Sequence, residues 1–176
     1  MYYKYSEIMG LPIKCNDSKK TIAYMKDIIF YPIRKRIIAF LVEPAYFTLQ
    51  KKVLLPHDIE EMQTDRITIK NAGKIKKLSE LKKNYIVDDK RNLKGSRVKT
   101  KDGDEFGRVN DMLINLKTGG IEGVECTEGI VEDVYKGRKM IPLLYNVEFS
   151  EDCILVDKLA KDEVKEYGGI SRIFHE

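Results

Sequence analysis

With 176 residues, 43% hydrophobic and 34% charged, the chain has the composition of a soluble globular protein of one or two small domains. No apolar run approaches the roughly 18 residues of a membrane-spanning helix, the nearest (28–42) being broken by Pro32 and by Arg34-Lys35-Arg36. The net charge of +4 hides a polarity: residues 70–101 hold 12 Lys/Arg against 3 Asp/Glu, and residues 102–176 hold 9 against 17.

In chain order, Tyr2-Tyr3-Lys4-Tyr5 lacks a signal-peptide core. A first run of short strands follows, with turns expected at Asn16-Asp17-Ser18 and at 31–35. The loop Pro44–Gln50 carries three large apolar side chains, Tyr46, Phe47 and Leu49, and ends before Leu55-Pro56. From Lys74 to Tyr85, Ile75, Leu78, Leu81 and Tyr85 recur at helical spacing while lysines fill the other face, which predicts one amphipathic helix. An extended connector then runs to Leu93.

The second run is easier to read. A strand over 96–100 meets Asp102-Gly103, a hairpin turn pair that tolerates positive φ. A strand over 105–115 has Gly107 near its start, where a bulge or bend is expected. Lys117-Thr118-Gly119-Gly120 turns into a strand over 121–127, and an acidic loop follows. Lys139–Pro142 reads as a short edge-like strand, because proline cannot donate to a ladder. The last strand is 153–156, and Lys158–Tyr167 is expected to be helical, ended by Gly168-Gly169.

The two runs repeat one pattern about 85 residues apart. Gly10 answers Gly95, Ile13 answers Val98, Asp17 answers Asp102, and Asp27 answers Asp111. Ile37 answers Ile121, Leu55-Pro56 answers Ile141-Pro142, and Ile67 answers Ile154. Ala23 stands where Gly107 stands, and Ala39 where Gly123 stands. The expected architecture is all-β with minor α. Two small β-barrels lie in tandem at residues 4–70 and 94–158, each followed by a short helix. A basic helical linker occupies 71–93, and a C-terminal helix and tail occupy 159–176.

The repeated residues resemble the PRC-barrel family, whose pattern is a glycine, a strand, a D-G turn, G-x-V-x-D with an apolar strand, and later an I-P pair. The second copy shows it as Gly95, Asp102-Gly103, Gly107-Arg108-Val109-Asn110-Asp111 and Ile141-Pro142. The first keeps Gly10, Asp27 and Leu55-Pro56 but has lost most of the glycines. The resemblance is to the tandem stand-alone bacterial type. It implies a docking barrel with no catalytic set, and it specifies fold far better than function.

Read on their own, the other residues give no catalytic, cofactor or metal site. His57 is expected to be a solvent-facing loop residue and His175 lies near the terminus; neither has a nucleophile elbow beside it. Cys15, Cys126 and Cys153 lack paired spacing, so small apolar core roles in a reducing cytoplasm are expected. Asp27 and Asp111 could bind metal as a pair, but an aspartate accepting backbone N–H bonds at a bulge or turn is the favoured reading. The partner-binding candidates are Tyr46, Phe47 and Leu49, with Lys76, Lys77, Lys82 and Lys83 on the basic helix. The three apolar groups are expected to be buried, preferably within the chain, otherwise by a second protein. The leading expectation is a non-enzymatic cytoplasmic adaptor that docks a protein partner through barrel loops, with homo-oligomers possible. The alternative is an RNA- or ribosome-associated factor using the lysines; its weakness is the lack of a stacking platform beside Tyr85.

Overall fold

The computed structural model describes residues 2–31, 35–82, 93–129, 138–143, 147–150, 153–161 and 164–167. The chain divides into two compact units. Unit 1 is Tyr3–Arg91 with the turn Leu116–Gly120; unit 2 is Asn92–Asn115 with Ile121–Glu176.

After β1 (Tyr2–Lys4), a four-residue helix α1 (Tyr5–Ile8) buries Tyr5 and Ile8, and the Glu7 carboxylate accepts the Lys4 N–H at 2.8 Å. Nothing in the tyrosine-rich start announced this turn of helix. The strands β2 (Pro12–Cys15), β3 (Thr21–Tyr31), β4 (Arg36–Pro44), β5 (Lys52–Leu54), β6 (Ile59–Met62), β7 (Ile67–Ile69) and β8 (Lys76–Lys77) follow. Their spatial order is β8-β5-β4-β3-β2-β7-β6. They are rich in β-branched and aromatic residues and alternate: Ala23 and Met25 are buried while Tyr24 and Lys26 are exposed.

Unit 2 has β9 (Arg97–Thr100), β10 (Glu105–Asn115), β11 (Gly120–Thr127), β12 (Arg138–Pro142), β13 (Glu148–Phe149), β14 (Cys153–Val156) and β15 (Lys165–Tyr167). Their order is β15-β12-β11-β10-β9-β14-β13, the same path strand for strand. Among the described residues, no pairing joins the two ends of either path into a closed barrel.

The correspondence holds at the level of single hydrogen bonds. Gly10 (φ 85°) donates to Met25 O at 2.8 Å, and Gly95 (φ 88°) donates to Val109 O at 2.8 Å. Ile13 lies between Ala23 and Ile67, and Val98 between Gly107 and Ile154. Each first hairpin has its bulge at one place, skipping Ile22 in β3 and Phe106 in β10. Both β2–β7 and β9–β14 are parallel, which hairpins alone cannot produce.

Four expectations change. Helix Lys74–Tyr85 is replaced, over its described part, by a 3-10 turn (Ala72–Lys74), strand β8 and a short helix α2 (Leu78–Lys82). Leu78 and Leu81 do face inward, as their spacing implied, but into the core of unit 1 beside Ile29, Ala39 and Val53. Tyr85 lies outside the described residues. The C-terminal helix becomes a 3-10 turn (Lys158–Lys161) and β15, with 168–176 outside the described residues. The strand ending at Pro142 is flanked on both sides, by β11 and β15; Pro142 fits because it is the strand's last residue, opposite Gly123. Finally, the proline pair slips by one. The partner of Phe40 is Leu54, and the partner of Val124 is Ile141, so Leu54 and Ile141 are the equivalent buried residues. A one-residue slip in a strand exchanges its faces.

Gly107 has φ 97°, and a Cβ there would collide with the Thr127 carbonyl. Gly95 has open space, so only its backbone conformation matters. Gly95→Ala and Gly10→Ala are each expected to destabilise by about 1–2 kcal/mol, and Gly107→Ala by about 3 kcal/mol or more. Urea unfolding of the three variants measures the ranking.

Candidate docking surface

The segment after β4 is pinned at both ends and free in between. Ala45 N–H donates to Ile22 O at 2.9 Å, and Lys51 O accepts from Leu78 N at 2.9 Å. Inside it, Thr48 Oγ1 accepts the Gln50 N–H at 3.1 Å, tightening the loop around Leu49. Tyr46, Phe47 and Leu49 are 60%, 90% and 90% exposed. The expected burial within the chain is thereby overturned. A loop of this length has its backbone bonds spent at its anchors, and the unit 1 core is already filled by Leu78 and Leu81.

The loop runs straight into β5, and β5 pairs with β8. Lys52 stands opposite Lys77, and Val53 opposite Lys76. Pairing therefore places two of the candidate lysines next to the strand that the apolar loop enters. Lys76 and Lys77 are exposed, and Lys52 is half-buried. Like charges directly opposite across a strand pair repel, and no ion pair among the described residues neutralises Lys52 or Lys77. Lys82 ends α2, and Lys83 lies outside the described residues. The surface thus combines three apolar groups with a basic border, and the lysines reach it through a strand.

The remaining candidates resolve into structural roles. Asp27 Oδ1 accepts the Ile28 N–H at 2.8 Å and the Tyr5 hydroxyl at 3.0 Å, beside a register shift in β3. Asp111 Oδ1 accepts the Met112 N–H at 2.8 Å and is buried. Each carboxylate is thus engaged by the backbone that follows it. His57 lies in a 3-10 turn with its side chain 76% exposed. Its neighbour Asp58 is buried and binds Lys74 Nζ at 2.7 Å. His175 lies outside the described residues. No group of three or more His, Cys, Asp or Glu among the described residues is placed to hold a metal ion. All three cysteines are free and buried; desolvation raises the Cys15 thiol and pushes Cys126 up to about 12.

Two features escaped the sequence reading. Glu125 is buried in β11, and its Oε1 accepts from Arg138 at 2.9 Å and Asn110 at 3.1 Å. A glutamate amid the apolar run 121–127 was the available signal. A second feature, a polar cavity in unit 1, gathers residues from three strands and a turn and has no local signal.

Comparison with known proteins agrees with the second copy. The model of the PRC-barrel domain matches residues 87–163, which contain β9 to β14 of unit 2. The matched span supports the family resemblance carried by Gly95, Gly107 and Asp111. The matched span does not include the strands of unit 1. No curated protein matches the chain.

Two measurements test these assignments. Asp111→Ala removes a buried bond to the Met112 N–H and is expected to destabilise by about 1–3 kcal/mol, read by thermal or urea unfolding. Because Cys126 stays protonated in the folded protein up to about 12, while an unfolded thiol ionises near its ordinary 9.0, the unfolded state binds fewer protons between these values. Stability must therefore fall as pH rises from 9.0 towards 12. Cys126→Ala should flatten that alkaline decline relative to the unsubstituted protein.

Proposed function

We propose that the protein is a non-enzymatic adaptor made of two PRC-type barrel units in tandem, and that it docks a protein partner through the Tyr46-Phe47-Leu49 loop of unit 1. The reading of both halves as one domain type is supported by their identical strand order, their matching first-hairpin bulge and their matching glycine hydrogen bonds. A reducing compartment such as the cytoplasm suits three unpaired cysteines.

The observation that carries the docking reading is the exposure of Phe47 and Leu49, 90% each, on a loop anchored at both ends and tightened by one side-chain hydrogen bond. Exposed apolar anchors in a preformed loop are what interface hot spots require: they gain burial on binding and lose little entropy. The border of Lys52, Lys76 and Lys77 selects the partner's chemistry. An acidic rim around an apolar pocket would relieve the repulsion between Lys52 and Lys77 while it covers the loop.

The RNA-associated alternative uses the same lysines without the loop, so the two readings separate by substitution. Phe47→Ser/Leu49→Ser removes no buried contact and should leave stability within about 0.5 kcal/mol. It should abolish capture of a specific protein from native lysate, whereas Lys76→Gln/Lys77→Gln should weaken capture and make it less salt-sensitive. Capture that is unchanged in the loop variant, or cosedimentation with ribosomal subunits that depends on the lysines alone, would reject the docking loop.

A further inference from the structure

The cavity of about 310 Å³ in unit 1 lies along β2, β7 and β6, where Cys15, on the same face of β2 as Ile13, lines it together with residues of the opposite face. Lys14 stands opposite Thr68, and Thr68 opposite Glu61, so one cross-strand row forms its floor. Arg66 enters from the same face two residues before Thr68, and Asn16 and Lys19 close it from the β2–β3 turn. Its lining therefore carries three cations, Lys14, Lys19 and Arg66, against one carboxylate, Glu61. Neither Lys14 nor Lys19 has an ion-pair partner among the described residues. Asp65 holds Nη1 of Arg66 at 3.0 Å, and a guanidinium has five N–H donors, so donors remain.

Comparison of the two units shows that this site is a departure from the shared pattern. The turn residue whose N–H returns to the end of the first strand is Lys19 in unit 1 (to Cys15 O, 2.8 Å) and Gly103 in unit 2 (to Thr100 O, 3.1 Å). Both have positive φ, 57° and 99°. Glycine is at ease there and lysine is strained. The strain is kept where the side chain lines a cavity, a pattern that accompanies binding sites. The register equates Arg66 with Cys153 and Thr68 with Leu155, so unit 2 is apolar at these points. It also equates Glu61 with Glu148, and in unit 2 that carboxylate is already taken by Lys101 at 2.5 Å. Among the described residues, the positions of unit 2 equivalent to Lys19, Arg66 and Thr68 are Gly103, Cys153 and Leu155, which carry no cation.

We propose that this cavity binds a small phosphate ester, its phosphoryl dianion held by Lys14, Lys19 and Arg66 and its oxygens by the Thr68 hydroxyl. Three cations with forked and point-charge donors suit a tetrahedral dianion. The volume lies at the lower end of small-ligand pockets, enough for the phosphoryl group with a small organic remainder. Glu61, at the end of that row, repels a second phosphoryl group and offers an acceptor to a ligand hydroxyl. The site is independent of the docking loop.

The test is an NMR titration of the full chain with inorganic phosphate, glycerol phosphate and AMP, with acetate and chloride at equal ionic strength as controls. The expected result is saturable shifts at 14–20 and 61–68 with phosphate and at least one ester, and a phosphate-dependent rise in Tm. Lys19→Gly should raise the Tm in chloride, because it relieves the backbone, yet weaken phosphate binding about tenfold. Arg66→Gln should weaken binding comparably. The proposal is overturned if the unsubstituted chain shows no saturable phosphate shift, if acetate matches phosphate, or if neither variant loses affinity.

Discussion

A long strand that must serve two neighbours is the constraint on which each half of this protein depends. β3 and β10 each run for 11 residues and pair with a short hairpin partner on one side and a long strand on the other. A flat strand of that length cannot follow both, so the chain breaks its ladder with bulges. A bulge leaves a backbone group out of the ladder, and a buried one must find a partner. Asp27 and Asp111 each accept the N–H of the next residue, Asp27 beside the register shift between Met25 and itself.

The parallel pairs β2–β7 and β9–β14 complete each unit by returning the end of the chain to its start. They place Ile13 against Ile67 and Val98 against Ile154, all fully buried or nearly so. Units of this size bury a limited core, and unit 1 extends its own by recruiting Leu78 and Leu81 from the segment after its last long-range pairing. That recruitment decides the fate of the lysines. Once Leu78 and Leu81 turn inward, Lys76 and Lys77 are left on a strand beside β5, near the loop of Tyr46, Phe47 and Leu49. Core packing and the exposure of these lysines are in this way two consequences of one segment.

Divergence between the halves is concentrated where the shared backbone does not demand a residue type. Gly10 and Gly95 are the same because the backbone needs positive φ at both. Gly107 needs its lack of a side chain against Thr127, whereas Ala23 stands at the equivalent register position. The outer face of β2, β7 and β6 carries no such demand, and there the halves differ in charge and polarity.

The β-rich class, the bulge beside Gly107, the buried cysteines and the N–H bonds accepted by Asp27 and Asp111 were legible in the sequence. Each rests on a local rule: alternation of period two, the φ demanded of a turn, or a carboxylate's reach to the next N–H. The helix over 74–85 was misread because apolar residues at 75, 78 and 81 satisfy a helical stripe equally well when a short strand precedes a short helix. Only pairing with β5 distinguishes these. The exposure of Phe47 and Leu49, the nearness of Lys76 and Lys77 to them, and the meeting of Lys14, Lys19 and Arg66 at one cavity were decided by tertiary structure. Those positions are set by strand register between segments far apart in the chain, and nothing in a linear pattern carries that information.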